Sequence, residues 1–233
     1  MKKLLVLFVL LFAVIISSAQ TVNHSLWQTL LENHVSSDGN VNYKALKSNS
    51  SQLNTYINQL SKSTPSERSS KEEKLAYWIN AYNALTIDLI LRNYPVKSIK
   101  EINNPWKQRL WEFGKNNYNL DEIEHEILRN MNEPRIHFAI VCASYSCPKL
   151  QNEAFTAEKL DQQLTKVTKE FLADTNRNQI SENSIKISKI FDWFSKDFTK
   201  NGSLIDFLNL YTEVNISPNA KKRYKDYNWA LND

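Results

Sequence analysis

Cys142 and Cys147 bracket the segment CASYSCP, with His137 upstream of the first thiol and Glu124 upstream of the histidine. A thiol, an imidazole and a carboxylate are the set that acyl transfer requires. The thiolate attacks a carbonyl, the imidazole moves the proton, and the carboxylate fixes the imidazole. On that chemistry Cys142 is the candidate nucleophile, His137 the base and Glu124 the residue that orients it. Cys147 is the alternative thiol, because a loop can fold it back. Ser144, between the two, is a candidate for orienting substrate.

The same residues support other chemistry. Two cysteines this close in an exported chain suit a small disulfide, and in that case neither sulfur is a resting nucleophile. With His125 and His137 they could supply two sulfur and two nitrogen ligands to zinc. The chain has no His-x-x-x-His or His-Glu-x-x-His pair to strengthen that pattern, so no metal or cofactor is assigned. His125 has a plainer role as a surface partner of Arg129, four residues on.

Asn80 and Asn83 interrupt the most apolar stretch of the chain and share one face of a helix. A buried amide is costly unless hydrogen-bonded. Either these two satisfy backbone groups of a neighbouring loop, or they position a substrate amide or oxyanion.

The elements that must position these groups follow from periodicity. Ser25 to His34 and the stripe Leu53, Tyr56, Ile57, Leu60 read as helices, and Ser61–Ser70 as the loop that follows. Asp38-Gly39 marks a turn, with Val41 and Tyr43 briefly extended. Ser69 and Ser70, each with a glutamate three residues on, are capping-box starts for a helix running to Leu91. That helix is apolar almost all round and belongs at the centre of a fold. Tyr94-Pro95 ends it. Arg109–Phe113 and Asn117–Leu120 flank Gly114 as a hairpin. In the helix Asp121–Asn130, Glu124 borders the core stripe of Leu120, Ile123, Ile127 and Leu128, so it needs a partner, and His137 is the expected one.

Arg135–Cys142 (RIHFAIVC) is short and rich in strand formers, and reads as a buried strand. On a strand His137 and Cys142 face opposite ways, so their contact requires a bulge or a turn of the chain at the strand end. A long helix over Thr156–Asp174, a strand at Ile185–Ser188 and short helices near Trp193 and over Ser203–Tyr211 complete the pattern. The expectation is a single helix-rich α+β domain over residues 20–233. A small antiparallel sheet would pack against the central buried helix.

Five blocks in order carry a resemblance: WINAYNALT (78–86), YPVKSI (94–99), LDEIEHEILR (120–129), PRIHFAIVCASYSCPKL (134–150) and YNWALND (227–233). They resemble the domain of unknown function 547, a family with bacterial members that are often exported. The resemblance implies one α+β domain and no agreed reaction. Because it centres on HFAIVC, it favours Cys142 over Cys147 as the thiol of interest.

Composition narrows the function classes. Lys2 and Lys3, the thirteen apolar residues Leu4–Ile16 and the small residues Ser17-Ser18-Ala19 form a secretory signal, with cleavage expected after Ala19. The apolar run is shorter than the roughly 18–20 residues of a membrane span. The chain is therefore expected in the periplasm or outside the cell, with no stable membrane insertion after cleavage. The formal charge of +4 falls to +2 without Lys2 and Lys3, too little and too evenly spread for nucleic acid. Three glycines leave no glycine-lined phosphate loop.

Two functions remain. One is a thiol-dependent hydrolase or acyltransferase acting on an amide or peptide-like envelope substrate. The other is a non-catalytic envelope module that binds a small-molecule or peptide-like ligand, with the polar residues in a buried network and a Cys142–Cys147 disulfide.

Overall fold

Three short helices, α1 (Ser25–His34), α2 (Tyr43–Ser48) and α3 (Ser50–Lys62), lead into α4 (Lys71–Asn93), whose start is written in Ser70 and Glu73. In the computed structural model, which describes residues 22–233, Ser70 Oγ accepts from the Glu73 amide at 3.1 Å. The Glu73 carboxylate accepts from the Ser70 amide at 2.7 Å, closing the expected capping box. Every residue from Leu75 to Leu91 is buried. Asp88 is the charged side chain within that stretch, and it accepts from Trp111 Nε1 and Arg92 Nε, both at 2.7 Å. A buried carboxylate held by two donors is tolerated where an unpaired one would not be.

The hairpin β1 (Trp111–Phe113) and β2 (Asn116–Tyr118) turns at Gly114, φ +64°. It lies against α4 through Phe113 and Tyr118, whose rings pack on Trp78 with centroids 6.3 and 5.3 Å away. Asn119 then caps α5 (Leu120–Glu122) in a second capping box, and Arg109 pairs with Glu122 beside it. The expected helix over Asp121–Asn130 occupies its place but not with uniform geometry. It widens to a π-helical turn over Ile123–Leu128 and tightens to a 3-10 turn over Arg129–Met131.

Helix α6 (Leu160–Ala173) carries the predicted stripe Leu160, Leu164, Val167 and Phe171, all buried. Strands β3 (Gln179–Ser181) and β4 (Ser184–Ile187) pair antiparallel. Short helices α7 (Ile190–Trp193), α8 (Ser195–Phe198) and α9 (Leu204–Asn209) then carry the chain over to β5 (Lys221–Tyr224), which joins β4 in parallel. The larger sheet is thus mixed, a correction to the all-antiparallel expectation. The intervening helices give the chain the length it needs to return in the same direction. The architecture is α+β and helix-rich, with small open sheets of two and three strands.

A second correction concerns RIHFAIVC. Pro134–Phe138 is a 3-10 helix, not a strand. Pro134 fills the first helical position, where its missing amide costs nothing, and the Glu133 side chain caps the Arg135 amide at 3.2 Å. A short apolar run has no periodicity to separate a buried strand from a buried helical turn. Phe138 anchors the turn in a ring cluster with Phe171, Phe191 and Phe198, at centroid distances of 5.1, 5.7 and 5.7 Å.

The expected signal segment, residues 1–19, lies outside the described residues. Among the described residues no helix is long and apolar enough to cross a membrane.

Candidate functional site

With no strand ladder, the backbone after Phe138 needs other partners, and α4 supplies them. Asn83 Nδ2 donates to the Ala139 carbonyl and its Oδ1 accepts from the Val141 amide, both at 2.9 Å. Asn80 treats Phe155 in the same way, donating to its carbonyl at 2.7 Å and accepting from its amide at 3.0 Å. Both asparagines are buried, and in both cases donor and acceptor are spent on backbone. They set the loop geometry of the site, with both polar atoms of each side chain engaged by backbone.

The loop that follows turns at Ala143, φ +56°, and carries the two cysteines. Cys142 and Cys147 form a disulfide, their Cα atoms 6.3 Å apart, and the described residues contain no free cysteine. Cys142 is therefore not a resting nucleophile, and neither is Cys147. The Tyr227 hydroxyl lies 3.3 Å from Cys142 Sγ and 3.2 Å from Cys147 Sγ, and Ser144 Oγ donates to that hydroxyl at 3.2 Å. Ser144 is buried and helps to cap the disulfide. Burial, stronger than the opposing hydrogen bond from Ser144, pushes the Tyr227 hydroxyl up to about 12, so it stays protonated as a donor.

The C-terminal segment straps this loop in place. The Tyr145 amide donates to the Ala230 carbonyl at 2.7 Å, and the Asn232 amide to the Ala143 carbonyl at 3.2 Å. Arg177 donates to the carbonyls of Cys147 and Tyr145 at 2.7 and 2.6 Å. Tyr227 and Trp229, which the sequence carried only inside the last block of the resemblance, are thereby brought over the disulfide.

His137 is buried at the end of the 3-10 turn, its ring stacked on Phe194 at 4.0 Å and 24°. Its carboxylate partner is Asp197, to which Nε2 donates at 2.8 Å. Arg129 Nε and Nη2 hold the same carboxylate at 2.6 and 3.0 Å. Burial works to raise the Asp197 carboxyl. The hydrogen bonds and charges of His137 and Arg129 outweigh it and keep the group well below the usual carboxylate range. His125 lies 2.9 Å from Arg129 Nη1, the surface partnership its spacing suggested.

Glu124 is 9 % exposed, as its place beside the core stripe required. Its hydrogen bond comes from the Tyr82 hydroxyl at 3.0 Å, not from His137. The hydroxyl that binds it is itself pushed well above the ordinary tyrosine value, first by burial and then by the Glu124 charge.

Glu124, His137 and the disulfide nonetheless line one cavity of about 140 Å³. Buried Tyr82 walls it inside, and Trp106, Trp193, Phe194, Tyr227 and Trp229 are its partly exposed rings. The outer rings pack on one another. Tyr227 lies 4.6 Å from Trp229 and 4.8 Å from Trp193, and Trp106 lies 5.9 Å from Trp229. Among the described residues no group of three or more His, Cys, Asp or Glu side chains is placed to hold a metal ion. The arrangement offers an aromatic slot with one carboxylate and one imidazole in its wall, and an oxidised sulfur pair where a thiol would have to stand.

Tyr82, Asp197 and the rings of Trp106, Trp193, Phe194, Tyr227 and Trp229 are the site residues that sequence reasoning missed. The only signal for Asp197 was a charge set between Phe194 and Phe198 at helical spacing.

Residues 65–172 match the model of the family described as "Protein of unknown function, DUF547". No curated protein and no solved structure gives a significant match to the chain.

Proposed function

For this chain, assigned to the DUF547 family through residues 65–172, we propose a non-catalytic binding module of the cell envelope that receives a small ligand group in the aromatic cavity above the Cys142–Cys147 disulfide. The observation that carries this reading is the disulfide itself. It occupies the cavity wall beside His137 and Glu124, so the slot has a recognition surface but no thiol nucleophile. Clustered, partly exposed aromatic side chains at the mouth of a cavity are the composition of a recognition site. The lysine start, apolar run and small residues of 1–19, together with the disulfide, support an oxidising compartment outside the cytoplasm.

The size of the slot limits the ligand. At about 140 Å³ it is well below the roughly 300 Å³ at which sites for drug-sized ligands begin. It fits a headgroup or one side-chain end of a peptide-like molecule, with the rest of the ligand outside.

Reduction separates this reading from a hydrolase held inactive by oxidation. With p-nitrophenyl acetate and a chromogenic peptide anilide as probes, the module shows no turnover above the Cys142→Ser/Cys147→Ser variant, oxidised or reduced. Turnover that appears on reduction and is lost in His137→Ala reinstates the thiol hydrolase.

A further inference from the structure

Glu124 is a buried carboxylate with no cation in direct contact. Its one hydrogen bond is from a neutral hydroxyl, that of Tyr82, and no ion pair among the described residues includes it. The nearby guanidinium of Arg129 is committed to Asp197 by two hydrogen bonds, and the same carboxylate takes the proton of His137 Nε2. With Arg129 and His137 both hydrogen-bonded to Asp197, Glu124 is the acidic group of the cavity wall that has no cation in direct contact. Taking a carboxylate out of water with no cationic partner is costly, and folds retain such a group where something compensates it.

The rest of the wall points to what that is. Tyr82, Trp106, Phe194, Tyr227 and Trp229 surround the slot, with the 47 % exposed Trp193 at its open side. Aromatic faces attract cations through the ring quadrupole, most strongly for tryptophan and most strongly where water is excluded. One ring of the set already does so: Lys100 Nζ, which does not line the cavity, stands 4.6 Å from the Trp229 centroid. A slot of about 140 Å³ takes a compact cation and excludes a bulky one.

We infer that the cavity is a cation-recognition site, in which Glu124 and the surrounding rings bind an alkylammonium group, quaternary or primary, presented by the ligand. The inference rests on the binding-module reading and names the chemistry of its ligand. The carboxylate supplies the charge, the rings replace the ammonium's hydration shell, and Trp193 and Trp229 at the exposed side admit the group from solvent.

Intrinsic tryptophan fluorescence of the oxidised full-length mature protein reports the site directly, because Trp106, Trp193 and Trp229 line it. Choline and methylammonium are the probes. Sodium chloride at matched ionic strength controls for salt, and 3,3-dimethylbutanol serves as choline's uncharged isostere. The expected result is a saturable change with at least one ammonium probe and none with sodium. Affinity should weaken about tenfold or more in Glu124→Gln, which keeps an acceptor for Tyr82 but removes the charge. Trp193→Ala, at a half-exposed position where the fold is not at stake, should weaken it as well. Binding of 3,3-dimethylbutanol as tight as choline, or unchanged affinity in Glu124→Gln, overturns cation recognition while leaving an apolar binding module. Absence of saturable binding by either ammonium probe overturns it too. Thiol-dependent turnover after reduction is the separate result that removes the module reading itself.

Discussion

His137 Nε2 donates to Asp197 Oδ2 at 2.8 Å, so the imidazole of the candidate site is oriented by a carboxylate sixty positions away in sequence and not by Glu124. The pair is locked from both sides. Phe194 stacks on the imidazole, and Arg129 grips the carboxylate with two hydrogen bonds. This fixes α8 against the 3-10 turn that leads into the cysteine loop.

Asp197→Asn should therefore cost about 2–3 kcal/mol near neutral pH, the loss of charge-assisted hydrogen bonds in a mostly buried setting. The sign of its pH dependence follows from the depressed carboxyl. A group ionised more readily in the folded than in the unfolded chain stabilises fully above its unfolded value. That stabilisation is lost as pH falls through the folded value. Urea denaturation of both proteins should show the full difference above roughly pH 5, narrowing progressively in acid. A gap that stays constant into strong acid would mean that Asp197 is not ionised in this pair.

Asn83 should behave as a structural clamp. Asn83→Ala strands the Ala139 carbonyl and the Val141 amide in the core, at roughly 1–3 kcal/mol for each buried group, so a total of about 2–6 kcal/mol is expected in denaturant titration. Asn80→Ala should cost a similar amount through Phe155. A loss below about 0.5 kcal/mol, the range of ordinary surface substitutions, would show that the loop finds its hydrogen bonds elsewhere.

The disulfide closes only a short loop, so its contribution is modest. Chain-entropy reasoning gives about 2 kcal/mol for a loop of this size. The Cys142→Ser/Cys147→Ser protein should fold, with its unfolding free energy from urea titration lowered by that amount and its far-ultraviolet circular dichroism unchanged. Failure to fold would assign the crosslink a larger role than local bracing of the Ala143–Ser146 turn.

How far the chain could be read in advance depended on whether a local rule governed each segment. Helix α4 was legible because its cap, Ser70 with Glu73, and its all-round apolar surface both act locally. So was the turn at Asp38-Gly39. Gly39 sits at φ +82°, and a Cβ there would stand 2.8 Å from the backbone of Lys149. RIHFAIVC was misread because its strand-forming composition is outweighed by Pro134 and the Glu133 cap, together with clamps from Asn83 of α4 that no local signal reveals.

The candidate site was legible in part for the same reason. Glu124, His137 and the cysteines do meet in one cavity, and the burial of Glu124 followed from its place beside the stripe. Its partner Tyr82, the partner Asp197 of His137 and the aromatic wall come from segments distant in sequence. Strand parity also lost its force, because a 3-10 turn does not alternate its side chains as a strand does.

Native alkylation, read by intact mass, tests the central claim most directly, namely that the cavity wall holds a crosslink and not a thiol. Protein isolated from its native compartment without reductant, and treated with iodoacetamide at neutral pH, should gain no adduct at Cys142 or Cys147. After reduction and unfolding it should gain two. A single rapid adduct on Cys142 in the native protein, slowed by His137→Ala, would contradict the binding module and place a reactive thiolate in the site.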